Sequence, residues 1–101
     1  MDYRLKIGKS AQIQYDGIVD YLTNKLKSPS AAENFMATFD YQAHLVQAQP
    51  YIHCLSHIEE LAERNYHAFR VNRYVALYRV EGDTVFIAHI FHQSQNYAHL
   101  V

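Results

Sequence analysis

The sequence predicts an α+β domain of order β-α-α-β-β-β, an antiparallel sheet with a helical hairpin packed on one face. Three observations carry this reading. Two stretches of helical periodicity lie back to back between Ser10 and Pro50, separated by only a few residues. From Tyr66 onward the pattern turns to strand-like alternation in three runs. The last two runs are joined by Glu81-Gly82-Asp83, a hairpin signal. At 101 residues the chain, 1–101, makes one domain, long enough to bury a core without disulfides or a metal.

The first element is DYRLKI, whose alternation places Tyr3, Leu5 and Ile7 on one face of a short strand. Ser10 is the expected cap of a helix running to about Lys27, with Ala11, Tyr15, Ile18, Val19, Leu22 and Leu26 in one apolar stripe. Gly17 inside that helix costs about 1 kcal/mol against alanine, which predicts a close packing contact there. SPSAAENF starts a second helix, capped by Ser28 with Pro29 in the first turn, or by a capping box of Ser30 and Glu33. Its stripe runs through Ala32, Phe35, Met36, Phe39, Ala43 and Val46 until Pro50 ends it. IEELAE suggests one or two further helical turns, followed by the strands YHAFRV, RYVALYRV and TVFIAHIF. The expected sheet is mainly antiparallel, with the helix pair on one face.

Composition narrows the classes of function. Half the residues are apolar, which argues for a packed core and against disorder. The formal charge of −1 speaks against a strong whole-molecule attraction to nucleic acid, whose affinity rests on phosphate contacts. The basic residues are nonetheless uneven. None occurs from Ser28 to Glu63, after which Arg64, Arg70, Arg73 and Arg79 arrive together. The single cysteine, Cys54, has no internal partner, MDYRLKIGKS lacks the apolar run of a signal peptide, and no stretch approaches the roughly 18 apolar residues of a membrane span. A cytoplasmic location with no membrane contact is the expectation.

The C-terminal HIFHQSQNYAHLV gathers His89, His92, Tyr97 and His99. Strand alternation sends residues three apart to opposite faces, so His89 and His92 make a poor ligand pair. His53 and His57 have helical spacing, but with Cys54 they complete no zinc pattern. No metal and no cofactor are expected. His89 alternates with Val85 and Ile87 and reads as a partly buried, hydrogen-bonded core residue, Tyr74 and Tyr78 as packing residues on one face, and Glu59, Glu60 and Glu63 as solvated helix surface.

Taken together, SAQIQYDGIVDYL, SPSAAENF and YHAFRVNRYVALYRVEGDTVFIAHIFHQSQNY resemble, in order and spacing, the RelE/ParE superfamily of bacterial type II toxins, also called plasmid stabilisation proteins. The resemblance implies a growth-inhibiting toxin held inactive by a small cognate antitoxin. ParE-like members act on DNA gyrase, whereas RelE- and YoeB-like members are metal-independent endoribonucleases that cut mRNA, usually on the ribosome. A decayed homologue that only binds its antitoxin is a third reading. The residues leave open whether the free toxin is a homodimer.

RNA cleavage would require a base, an acid and cations around the scissile phosphate. The resemblance offers Arg70, His92 and Tyr97 as that catalytic set. Two departures weigh against it. Val75 stands where the nucleases carry arginine, and Gln93, Ser94, Gln95 and Asn96 are uncharged where a basic residue is usual. The step HQS and the late HL instead match the ParE-like pattern, so the gyrase-directed branch is favoured. Arg70, Arg73 and Arg79 are expected to dock an acidic antitoxin or the target, with the antitoxin wrapping the helix pair and covering the open face of the sheet.

Overall fold

The computed structural model describes residues 3–101. β1 (Arg4–Ile7) leads into α1 (Lys9–Asp20), a π-helical turn (Tyr21–Lys25) and α2 (Pro29–Ala48). A loop and the single-turn α3 (Glu59–Glu63) follow, then β2 (His67–Val71), β3 (Tyr74–Glu81), β4 (Thr84–His92) and a 3-10 turn (Tyr97–Leu100). The α+β class and the element order match the reading of the sequence. The sheet, however, is mixed. Its order is β1-β4-β3-β2, with β1 parallel to β4 and the other pairs antiparallel. A parallel pairing needs a long crossover, and the α1–α2 hairpin is part of what separates β1 from β4.

The ends of the helices show which local signals prevailed. α1 is capped by Gly8 rather than Ser10, with no side-chain bond at its cap. Gly8 is required by packing: a Cβ there would lie 2.7 Å from the Phe86 ring and 3.3 Å from the Ile87 carbonyl oxygen. Its own N–H donates to that carbonyl (2.8 Å), continuing the β1–β4 ladder into the helix. At the other end the helix does not run regularly to Lys27 but loosens into the π turn, and Ser28 N–H closes it onto Leu22 O (3.0 Å). Ser28 then caps α2, accepting from Ala31 N–H (3.3 Å) with Pro29 in the first turn. Gly17 has open space around it, with nothing within 4 Å of where a Cβ would stand, so the close contact expected there is absent within the described residues.

Side chains on the helix face of the sheet form the larger core. Phe35, Phe39, Val46, Phe69, Val71, Tyr78, Val85, Ile87 and Ile90 are all buried between sheet and hairpin. Aromatic edges knit it: Tyr15 lies 5.0 Å from Phe39, and Phe35 lies 5.2 Å from Tyr74, both in edge-to-face geometry. The opposite face is not open, as expected, but carries a second cluster. Leu61 of α3, Tyr66 and Tyr97 pack there on Val75, Leu77, Ala88 and Phe91.

One irregularity changes the facing of a histidine. Leu77 pairs with His89 while Tyr78 pairs with Ile87, leaving Ala88 as the extra residue of a bulge. Beyond it the alternation changes phase, so Ile87 and Ile90 both face the helices. His89 lies on the other face from Val85 and Ile87, stacked on Phe91 (5.4 Å) and edge-on to Tyr66 (6.4 Å). Ile7 is 37% exposed at the end of the edge strand.

Candidate functional site

Two concavities border the basic residues of the last third, one on each face of the sheet. The larger, a groove of about 910 Å3, opens where the π turn and the start of α2 meet the β2–β3 turn. Tyr21, Leu22, Leu26, Phe35, Tyr74 and His92 give it an apolar wall, and Arg73 stands beside it. Asn72 shapes this end. It takes a positive φ of 57° at the two-residue turn and donates to Asn34 Oδ1 of α2 (3.0 Å), tying turn to helix. His92 packs edge-on to Tyr74 at 5.3 Å. Its Nδ1 accepts from Ser94 N–H (3.1 Å), which in the neutral ring places the proton on Nε2. Burial, then the nearby Tyr21, raises the pKa of Tyr74 above the ordinary tyrosine value.

The second is a cavity of about 460 Å3 between the 53–58 loop and the outer face of the sheet. Arg70, Gln93, Gln95 and Tyr97 border it, with Ser56 and His53 on the loop side. The loop is held by the sheet itself. His67 Nδ1–H donates to His53 O (2.9 Å), the Tyr78 hydroxyl donates to Pro50 O (2.8 Å), and Ser56 N–H donates to Tyr66 O (2.8 Å). His53 Nε2 is buried with no hydrogen-bond partner among the described residues, and burial, then His67, lowers its pKa. Tyr78, with no exposed surface, has its pKa pushed up to about 12 by burial.

The residues singled out in the sequence are thereby separated. Arg70 and Tyr97 border the outer cavity, whereas His92 faces the groove on the helix side. Tyr97 is 6% exposed and stacks on Phe91 with rings 5.7 Å apart and 8° from parallel. Arg79 lies over the Tyr66 ring at 5.3 Å and reaches Glu81 at 3.9 Å, with Arg64 5.7 Å from the same ring. Arg70, Arg73 and Arg79 thus occupy three different surroundings. His89 sits behind Tyr66 with Nδ1 buried and unpartnered, and burial, then Arg64, lowers its pKa. Among the described residues no three His, Cys, Asp or Glu side chains gather in a group fit to hold a metal ion.

Sequence reading missed the glutamines. HQSQN stood out for lacking charge, yet Gln93 bonds the Arg70 guanidinium and Gln95 Oε1 accepts from His92 N–H (2.8 Å). Gln14 of α1 was also unmarked, and its Oε1 accepts from Ile90 N–H (2.8 Å), where β1 no longer flanks β4. A polar residue at each such place was the only available signal.

A family model described as the ParE toxin of the type II toxin–antitoxin system parDE matches residues 5–97. The chain belongs to the ParE toxin family. As a ParE-family protein it is the toxin component of a type II module, and its partner is a cognate antitoxin. Among solved structures, a chain from the chromosomal ParDE toxin–antitoxin system of P. aeruginosa superimposes with a TM-score of 0.71 at 19% identity. The match covers 89% of this chain and 95% of that one, and at this identity it speaks for the fold. No curated protein sequence matches. No helix among the described residues of this ParE-family toxin is long and apolar enough to cross a membrane.

Proposed function

We propose that this toxin arrests growth in the cytoplasm by acting on DNA gyrase, and that it does not cut RNA. The observation that carries this is the separation of Arg70, His92 and Tyr97. General acid–base cleavage needs its proton carriers and its phosphate-holding cations around one reacting bond. Here His92 faces the helix-side groove while Arg70 and Tyr97 border the cavity on the other face of the sheet. Tyr97 is further engaged as a stacked, buried wall of the core. The ParE membership supports gyrase as the target.

The test is induction of the toxin without its antitoxin, with purified gyrase assayed in parallel. Loss of supercoiling activity with the added chain, and filamentous cells with intact transcripts, are the expected results. Cut transcripts with unaffected gyrase would reverse the reading in favour of an endoribonuclease. In that event His92→Ala and Tyr97→Phe decide which side chains cut.

A further inference from the structure

The outer cavity bordered by Arg70 has an uneven supply of hydrogen-bonding groups. Gln93, Gln95 and Ser56 around it each spend an acceptor inside the protein and keep donor hydrogens over. Gln93 Oε1 accepts from Arg70 Nη1, which leaves the Gln93 amide N–H groups free. Gln95 Oε1 accepts from His92 N–H at 2.8 Å, which leaves its amide N–H groups free as well. Ser56, 7% exposed, accepts from Ile58 N–H at 3.1 Å and retains its hydroxyl hydrogen. Arg70 keeps its other guanidinium donors, and among the described residues no Asp or Glu lines the space.

The backbone that carries Gln93 is anchored. Gln93 N–H donates to Arg73 O (2.8 Å), so the residue that orients Arg70 is itself anchored to the β2–β3 turn. A guanidinium with amide and hydroxyl donors around it favours an anion.

We propose that this cavity binds a carboxylate attached to an apolar body. One guanidinium with neutral amides suits a planar monoanion held by the arginine fork, while a dianionic phosphate would call for more than one cation. Ile58 and Val75 supply apolar wall beside the donors. The volume of about 460 Å3 exceeds what a bare carboxylate fills and falls within the range of small-ligand sites. A small organic acid and the acidic side chain of a peptide offer the same chemistry. The site is independent of gyrase as a target, and its test does not involve growth arrest.

The experiment is an NMR titration of the purified full chain with N-acetyl-leucine, with an acetylated leucine–glutamate–leucine amide peptide, and with inorganic phosphate. Saturable shifts of the Arg70 Nε–H and the Gln95 side-chain amide are expected with the first or second probe. The probe that binds more tightly distinguishes a small acid from a peptide side chain. Arg70→Gln should weaken binding by about 10-fold or more, the loss typical of a charged hydrogen bond. Arg70→Lys, which keeps the charge but not the fork, should fall between. Lys9→Gln, at the start of α1 and outside the cavity, should bind like the parent chain. Absence of saturable shifts with both carboxylates, equal binding by Arg70→Gln, or tighter binding of phosphate would each overturn the assignment.

Discussion

Tyr78→Phe removes one hydroxyl from a side chain that has no exposed surface. That hydroxyl donates to Pro50 O at 2.8 Å and ties the start of the 50–58 loop to the middle of the sheet. Losing a net hydrogen bond costs about 1 kcal/mol, and a carbonyl left unsatisfied in a buried setting raises the cost to about 2 kcal/mol. For a chain of this size that lowers the melting temperature by roughly 5–10 °C. The loop should loosen with it, so the Ser56 amide, bonded to Tyr66 O at 2.8 Å, should exchange with deuterium faster than amides of β3 and β4.

An alkaline signature accompanies the loss. Burial raises the Tyr78 pKa from 10.0 to about 12, so between those values the folded state keeps a proton that the unfolded chain gives up. Stability from this group is fully present below pH 10 and is lost as the pH rises towards about 12. The difference corresponds to about 2–3 kcal/mol across the window. Phenylalanine cannot ionise, so the variant should show a shallower decline in urea midpoint above pH 10. Tyr15 and Tyr74, also raised, keep some slope. A variant melting within about 1 °C of the parent, with the same alkaline slope, would refute the reasoning.

Three other expectations are independent of it. Gly17→Ala should raise stability by about 0.5–1 kcal/mol, because the residue lies in a helix with nothing near its Cβ position; an unchanged or lower melting point would show a hidden requirement for glycine. Phe35→Ala should cost about 3–5 kcal/mol in urea unfolding, since the ring is 1% exposed and packs on Tyr15, Phe39 and Tyr74; a loss below about 1.5 kcal/mol would mean the core refills. His53 and His89 are both held below the ordinary histidine pKa of 6.5 by burial, so the unfolded chain binds more protons in mild acid. Stability should be complete above pH 6.5 and fall as the pH drops below it, and a His53→Gln, His89→Gln double variant should flatten that fall in thermal melts at stepped pH.

Local spacing settled a good part of this protein. The stripe from Ala32 to Val46 had the right period for one buried helix face, Ser28-Pro29 had the right chemistry to start it, and Gly82 sits at φ 60° in the hairpin turn that its freedom predicted. These features depend on neighbours a few residues apart, so a linear reading can see them. The resemblance across the chain likewise reached the family that the comparison with known families supports. TVFIAHIF is different: nearly every position is apolar, so nothing in it marks the phase change at Ala88 that turns His89 away from Val85 and Ile87. The cap at Gly8 depends on the Phe86 ring, far along the chain, and no local preference could outweigh that contact.

The sequence by itself determined the element types, their order and most of the helix-side core, because the 3.6- and 2-residue periods are properties of a chain segment. Only the tertiary structure decided that β1 runs parallel to β4, that α3 and the Tyr97 turn cover the outer face, and that His92 and Arg70 stand on opposite faces of the sheet. It also decided that the glutamines of HQSQN turn their oxygens towards Arg70 and the His92 backbone, leaving their donors for the cavity. Apart from the short-range bond of Gln95 to His92, each of these is a pairing between distant residues, chosen by the burial and hydrogen-bond satisfaction of the whole fold.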